Sequence, residues 1–199
     1  MVLSDLTTAA GVSELVRVTG GTESFFNHPD RAMGIAAVVQ NAIATNSNLA
    51  NVKVRIMPNL PNCVYNYDRG EVILGLVNPD ALAHELGHAN RLRQDGLYRK
   101  ILTAANGVAR INNVIAVPTM LALRMFIKDP AQRNDILQSL SALSAAAAAP
   151  GLTEEMAASI SALRDSPNRL QSLGTLGPAY LAHFASSMMP SAIYEAGRT

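Results

Sequence analysis

The chain of 199 residues has a single cysteine and few charged residues of either sign. One cysteine, Cys63, excludes an intrachain disulfide framework and is typical of a reducing compartment. We expect it to be a buried small hydrophobic residue and not a nucleophile. Charged residues make up only 16% and the net charge is +1. This balance gives no reason to expect a nucleic-acid partner.

Long uncharged apolar runs are also absent, so the sequence contains no segment of about 20 residues that predicts a membrane span. The nearest approach is residues 111–127, which Pro118 and Arg124 interrupt. We favour a buried core helix there over a membrane segment. The N-terminus has Asp5 and no basic stretch before an apolar one, so it does not predict a signal peptide. A cytoplasmic or assembly-associated protein is expected, with membrane association as the alternative.

The apolar pattern predicts an α+β fold that is predominantly helical, with a small antiparallel sheet or hairpin. Val52, Val54 and Ile56 alternate with basic residues, and a turn at 68–70 joins two further strand-like segments into a short β-meander. Chain length predicts one domain, 1–199, with a helical segment at 1–50, the meander and a motif-bearing helix at 51–95, and a helical body at 96–199. Across the whole domain, helices are predicted at 31–45, 97–127, 130–149, 152–164 and 176–188, and prolines and glycines separate the later ones.

The motif is "HELGH", residues 84–88, on a helix that Asn78 caps and that ends near Arg93. Side chains four positions apart share one helix face, so His84 and His88 can direct their imidazoles at one zinc ion. Glu85 lies one step round the helix, where a carboxylate can take a proton from zinc-bound water. Gly87 allows a neighbouring element to approach closely. The pattern predicts a zinc site.

Zinc in a catalytic site takes a third protein ligand. The candidates are His28, His183 and downstream carboxylates, and a distant carboxylate is favoured because no histidine follows soon after His88. In "TEEMAAS", at the predicted start of a helix, either Glu154 or Glu155 could point inward while its neighbour faces solvent.

Three segments together resemble a known family. "VKVRIMPNL", "YNYDRGEVIL" and "ALAHELGHANR" follow one another as in the YugP-like neutral zinc metallopeptidases of bacteria, and "TEEMAASISAL" and "LGPAYLAHFASSM" are similar to later segments of that family. The resemblance covers roughly residues 50–190. It implies a zincin-like domain of the gluzincin type, with Zn²⁺ bound by His84, His88 and Glu155 and with Glu85 as general base. The family's helices between the two motifs span membranes, whereas those predicted here are shorter or interrupted.

Three more residues could stabilise an oxyanion beside the zinc: His183, Tyr180 and Tyr194. For each we favour a hydrogen-bonded core residue over that role. The strand "EVILGL", directly before the motif helix, is expected to be an edge strand that pairs with an extended peptide substrate.

The sequence therefore predicts a zinc metallopeptidase that hydrolyses a peptide or protein substrate. A second interpretation is a structural or assembly component, for example of a virion or another large complex, that keeps the zincin fold with structural zinc or without zinc. A third is a membrane-active helical protein, which the apolar segment "VIAVPTMLAL" and the alanine-rich helix favour.

Overall fold

The computed structural model describes residues 1–19, 29–57, 60, 62–75, 78–93, 96–166 and 168–198. The described part is mostly helical and contains a small mixed sheet, which confirms the α+β class. Two short 3₁₀ helices cover Leu3–Thr7 and Ser47–Asn51. The remaining elements, in chain order, are α1 (Ala9–Thr19), α2 (Pro29–Thr45), β1 (Lys53–Ile56), β2 (Val64–Asn66), β3 (Glu71–Leu74), α3 (Pro79–Leu92), α4 (Gly96–Phe126), α5 (Pro130–Asp165) and α6 (Arg169–Ala196).

The contacts between Cα atoms group the chain into two compact units. Unit 1 comprises Met1–Gly96 and Met156–Pro178, and unit 2 comprises Leu97–Glu155 and Ala179–Thr199. The boundaries fall inside α5 and α6, so each of these helices contributes one part to each unit. Glu155 therefore lies on the same unbroken helix as the unit 1 residues that directly follow it.

The sheet of unit 1 has the strand order β1-β3-β2. β3 runs antiparallel to β2 and parallel to β1, so the predicted antiparallel meander is wrong. β3 takes the central position because it carries two fully buried apolar side chains, Val72 and Leu74, which pack best between two neighbours. The predicted hairpin turn between β2 and β3 is confirmed, with Gly70 in the left-handed region at φ 60°.

Helix α3 begins as predicted. The side chain of Asn78 accepts hydrogen bonds from the backbone N–H groups of Asp80 at 2.9 Å and Ala81 at 3.3 Å, and Pro79 occupies the first helical turn. Leu82 and Leu86 are buried within unit 1, on the side of α3 that contacts the sheet and α2. The helix is thus fixed at its start and along its apolar side, which holds the motif in place.

Unit 2 consists of α4, the first part of α5 and the last part of α6. Ala116, Leu137 and Tyr194, one from each helix, form a buried cluster. The predicted helix break at Pro150-Gly151 is wrong, because α5 continues from Pro130 to Asp165. Proline removes one backbone donor, but the alanine-rich segment before it has the highest helix propensity, so the helix is retained.

Candidate metal centre

The histidines of the motif lie side by side on α3. Their Nε2 atoms are 3.2 Å apart, and their rings are nearly perpendicular, with centroids 4.8 Å apart. Two nitrogens bound to one tetrahedral zinc at about 2.0–2.1 Å lie roughly 3.3 Å from each other. The observed separation fits a shared ion. His88 is buried and His84 is half-buried.

The part of α5 that lies in unit 1 packs tightly on α3 at Gly87. A Cβ atom at Gly87 would lie 2.8 Å from the carbonyl oxygen of Ala158 and 2.9 Å from its Cα. Both distances are closer than side-chain carbons tolerate, so this contact requires glycine. The expectation that Gly87 permits a close approach is confirmed.

This contact determines which face of α5 meets the histidines. Glu155, Ala158 and Ser159 have i, i+3 and i+4 spacing and share one helix face. The corresponding spacing on α3 relates His84, Gly87 and His88. The face of α3 centred on Gly87 meets the face of α5 centred on Ala158, which brings a carboxylate and a hydroxyl to the imidazole pair.

His84, His88 and Glu155 form a cluster in which one possible ligand atom from each residue lies within 4.8 Å of the others. These are the three residues that the family resemblance implies as ligands. Two imidazole nitrogens and one carboxylate oxygen are a donor set that binds a divalent transition metal and leaves a coordination position open. The donor types present are those that a divalent metal ion such as zinc takes.

Ser159 is a functional candidate that the sequence reasoning did not identify. Its Oγ lies 3.2 Å from Nδ1 of His84. A hydroxyl that accepts from the Nδ1–H group fixes the tautomer whose Nε2 lone pair is available to a metal. The signals in the sequence were its position four residues after Glu155, on the same helix face, and its place in the segment that resembles the metallopeptidase family.

Glu85 faces the edge of the sheet. Its Oε2 accepts a hydrogen bond from the backbone N–H of Tyr65, in β2, at 2.7 Å. This bond orients the carboxylate directly beside the first histidine. β2 is an edge strand of the three-stranded sheet, whereas β3 is paired on both sides. The expectation that "EVILGL" is an edge strand open to a peptide is therefore wrong.

Two other side chains surround the motif. The ring of Tyr67 meets the ring of His88 edge to face, with centroids 6.2 Å apart. Cys63 is buried, as expected from the sequence. Burial raises the pKa of the Cys63 thiol to about 12, and the negative charge of Glu85 adds to the shift. Cys63 is therefore a neutral thiol at neutral pH.

Glu154, the neighbour of Glu155, does not face solvent. The expectation that one of these two glutamates is solvent-exposed while the other points inward is therefore wrong for Glu154. Only 1% of its surface is exposed, and its Oε2 accepts a hydrogen bond from the Tyr98 hydroxyl at 2.9 Å, within unit 2. The expectation assumed a helix that starts at residue 152. Because α5 is continuous, Glu154 lies in the middle of a helix and is covered.

The remaining candidate residues lie on α6, in unit 2. Tyr194 is buried, and its hydroxyl donates to Oδ1 of Asn112 at 3.1 Å, which confirms the core interpretation for this residue. His183 is exposed, so the core interpretation is wrong there. Tyr180 is half-buried. His28 lies outside the described residues.

Comparisons of the chain with protein-family models, with curated proteins and with solved structures found no match. The likeness to the YugP-like metallopeptidases therefore stays a prediction from the motifs. The chemistry of the site follows from the geometry of this chain alone: three converging metal donors, an oriented carboxylate beside them and an edge strand next to that carboxylate.

Proposed function

We propose that the protein is a zinc-dependent peptidase. The observation that carries the proposal is the convergence of His84, His88 and Glu155. The residues come from two helices, and the sequence separation between His88 and Glu155 makes an accidental meeting of complementary donors improbable. The one-turn spacing of the histidines, with a glutamate after the first, is the pattern that metalloproteases use.

A zinc ion held by these three residues would supply a Lewis acid that polarises a carbonyl group. Glu85 supplies the proton transfer that hydrolysis also needs. Its carboxylate takes a proton from the attacking water and delivers it to the leaving amine. The hydrogen bond from the Tyr65 N–H holds one carboxylate oxygen, which limits the rotation of the side chain.

A peptide substrate is supported by the position of β2. An edge strand can take up an extended chain, and β2 lies beside the general base, which already accepts the backbone N–H of Tyr65. A substrate that pairs with β2 would place its backbone near Glu85 without requiring a deep side-chain pocket. We therefore propose that the substrate is an extended segment of a peptide or protein.

The test compares the wild-type protein with Glu85→Gln, with Glu14→Gln as the control. Glutamine keeps the size of the side chain but cannot accept the proton, so we expect peptide cleavage to fall by about 10²–10⁴-fold while zinc stays bound. Glu14 is on α1 and bonds with Arg17, and its replacement should leave cleavage unchanged. Cleavage is measured on quenched fluorescent peptide libraries and zinc by mass spectrometry.

Equal cleavage by the wild type and Glu85→Gln would refute the proposed role of the carboxylate. Zinc retention without cleavage by the wild type would instead support the structural or assembly interpretation. A bound metal other than zinc is a further informative outcome, since two histidines and one carboxylate also suit iron(II).

A further inference from the structure

A polar cleft with a volume of about 420 Å³ lies in unit 1, at the start of α3. Its walls come from α2, the first turn of α3, the residue that follows α5 and the first turns of α6. Amide and hydroxyl groups line most of it, together with one charged residue of each sign, Arg31 and Asp80. Pockets that take small ligands have volumes of about 300–1,000 Å³, so the polar cleft has room for one.

A chain of hydrogen bonds along one wall of the polar cleft ends on the carboxylate of Asp80. The backbone N–H of Asn168 donates to Oγ of Ser166 at 3.1 Å, and the hydroxyl oxygens of Ser166 and Ser172 are 2.6 Å apart. The hydroxyl of Ser172, which is only 1% exposed, donates to Oδ1 of Asp80. A hydroxyl has one proton, so the proton between the two serines comes from Ser166. Each donor therefore points toward Asp80 and holds its carboxylate in place.

The second oxygen of this carboxylate is left for a ligand. Among the described residues, none donates a hydrogen bond to Oδ2 of Asp80, and Asp80 forms no ion pair with any of them. The side chain is half-buried, and partial burial strengthens its attraction to an opposite charge relative to an exposed carboxylate. A fixed carboxylate with one open oxygen is an acceptor for an ammonium group.

The polar cleft lies next to the candidate metal centre, because the same pair of helices forms part of both. On α3, Asp80 and His84 are four residues apart, so they share a helix face and lie about 6 Å apart along the axis. Ser159 contacts His84, and two turns later Ser166 is linked through Ser172 to Asp80. An extended peptide advances about 3.3 Å per residue. A peptide end in the cleft would therefore bring a bond about two or three residues away to the metal centre.

We infer that the polar cleft binds the free amino terminus of the peptide substrate, an inference that rests on the proposed peptidase function. The terminal ammonium donates to Oδ2 of Asp80, in the manner of amine capture at other peptide-binding sites. The carbonyl oxygen of the first residue lies close to this ammonium and accepts from the guanidinium of Arg31, which has five N–H donors.

The amino terminus is the peptide group that matches both charged residues of the cleft. A lysine side chain offers an ammonium without a neighbouring acceptor for Arg31, and a terminal carboxylate would be repelled by Asp80. Cleavage by such an enzyme should release fragments of about two or three residues from the amino end of the substrate.

The test measures binding of a random hexapeptide-amide library to the zinc-loaded Glu85→Gln chain, in which hydrolysis is blocked. Half of the library keeps its amino terminus and half is acetylated, and mass spectrometry compares the captured peptides. We expect the free-amino peptides to be enriched by about tenfold or more, because acetylation removes a charge-assisted hydrogen bond. Adding Asp80→Asn should abolish the enrichment. Asp135→Asn is the matched control, since Asp135 is exposed on α5 in unit 2, and it should keep the enrichment.

A second measurement leaves the cleft unchanged and so covers the case in which Asp80→Asn fails to fold. Peptides with a photoreactive diazirine on the first residue are crosslinked to the Glu85→Gln chain, and we expect the label within 31–34, 78–80, 166 or 168–175. Absence of binding, equal binding of free and acetylated peptides, enrichment that survives Asp80→Asn, or label elsewhere would each overturn the inference. The proposed function fails separately, through a wild type that holds no zinc or cleaves no peptide, and binding measured without zinc then decides the role of the cleft.

Discussion

Two imidazole nitrogens 3.2 Å apart can be explained by a hydrogen bond or by a shared ion. A hydrogen bond would use one ring as donor and the other as acceptor, and it would require no third group. The proposed ion would also account for the carboxylate of Glu155 near the nitrogens and for the hydroxyl of Ser159 at Nδ1 of His84.

The contact of Ser159 with His84 gives the first residue-scale prediction. Ser159→Ala removes the partner of Nδ1 while it keeps the helix, so the imidazole loses its fixed tautomer and orientation. We expect the dissociation constant for zinc to rise by about 10–100-fold, measured by competition with a fluorescent chelator. Ser161→Ala on the same helix is the control, because the hydroxyl of Ser161 contacts Arg164. Unchanged affinity in Ser159→Ala would contradict the assignment.

The second residue-scale prediction concerns the thiol. With a pKa of about 12, only about one Cys63 side chain in ten thousand is a thiolate at pH 8, and the fraction grows only as the pH approaches 12. We expect no reaction with a disulfide reagent at pH 8 in the folded protein, and one thiol per chain after denaturation. Rapid modification of the folded protein would show that Cys63 is accessible and ionised.

The relative positions of His84, Glu85 and His88 could be predicted from their spacing, because helix geometry alone relates these three side chains. Spacing could not identify the partner of each group. A serine such as Ser159 carries no pattern of its own, and its value depends on which helix it meets. The choice between Glu154 and Glu155 stayed open for the same reason, and only the family resemblance favoured the second.

At the scale of the elements, the crossing of α3 and α5 decides whether the ligands converge. The crossing depends on Gly87, where any side chain would meet the backbone of Ala158. The backbone on α5 cannot give way as a flexible side chain would, so a larger residue must move one helix. A small shift there separates Glu155 and Ser159 from the histidines.

Gly87→Ala therefore tests the crossing. We expect the free energy of unfolding to fall by about 1–3 kcal/mol through overpacking, and zinc affinity to fall with it. Gly107→Ala is the matched control on α4, because a Cβ at Gly107 meets nothing within 4 Å. That change should stabilise the protein by about 0.5–1 kcal/mol through helix propensity. Chemical denaturation with and without zinc measures the free energy of unfolding of both variants. An unchanged free energy of unfolding in Gly87→Ala would contradict the close packing of α3 on α5.

Element types could be predicted from periodicity, but their ends and partners could not. The alternation of Val52, Val54 and Ile56 gave a strand, although pairing with β3 in parallel depends on a crossover that the pattern does not encode. The expected break at Pro150 followed a sound local rule. The alanine-rich turns around it outweigh the loss of one backbone hydrogen bond, so α5 continues to Asp165.

At the scale of the whole molecule, the sequence predicts one domain, whereas the contacts form two compact units. Two of the three boundaries between the units lie inside helices, because α5 and α6 each pass from one unit to the other. Two of the boundaries coincide with punctuation in the sequence, at Gly96 and at Gly177-Pro178, whereas the boundary between Glu155 and Met156 lies inside a continuous helix that composition does not mark. The units differ in structure: unit 1 contains the motif helix and the sheet, and unit 2 contains only helical segments.

The zinc content of the purified full-length chain tests the central claim most directly. After dialysis against metal-free buffer, we expect near one zinc per chain in the wild type and a large loss in His88→Ala, since a buried ligand is removed. A wild-type chain that holds no zinc, and that binds none when zinc is added back, would contradict the proposal that His84, His88 and Glu155 form a metal centre.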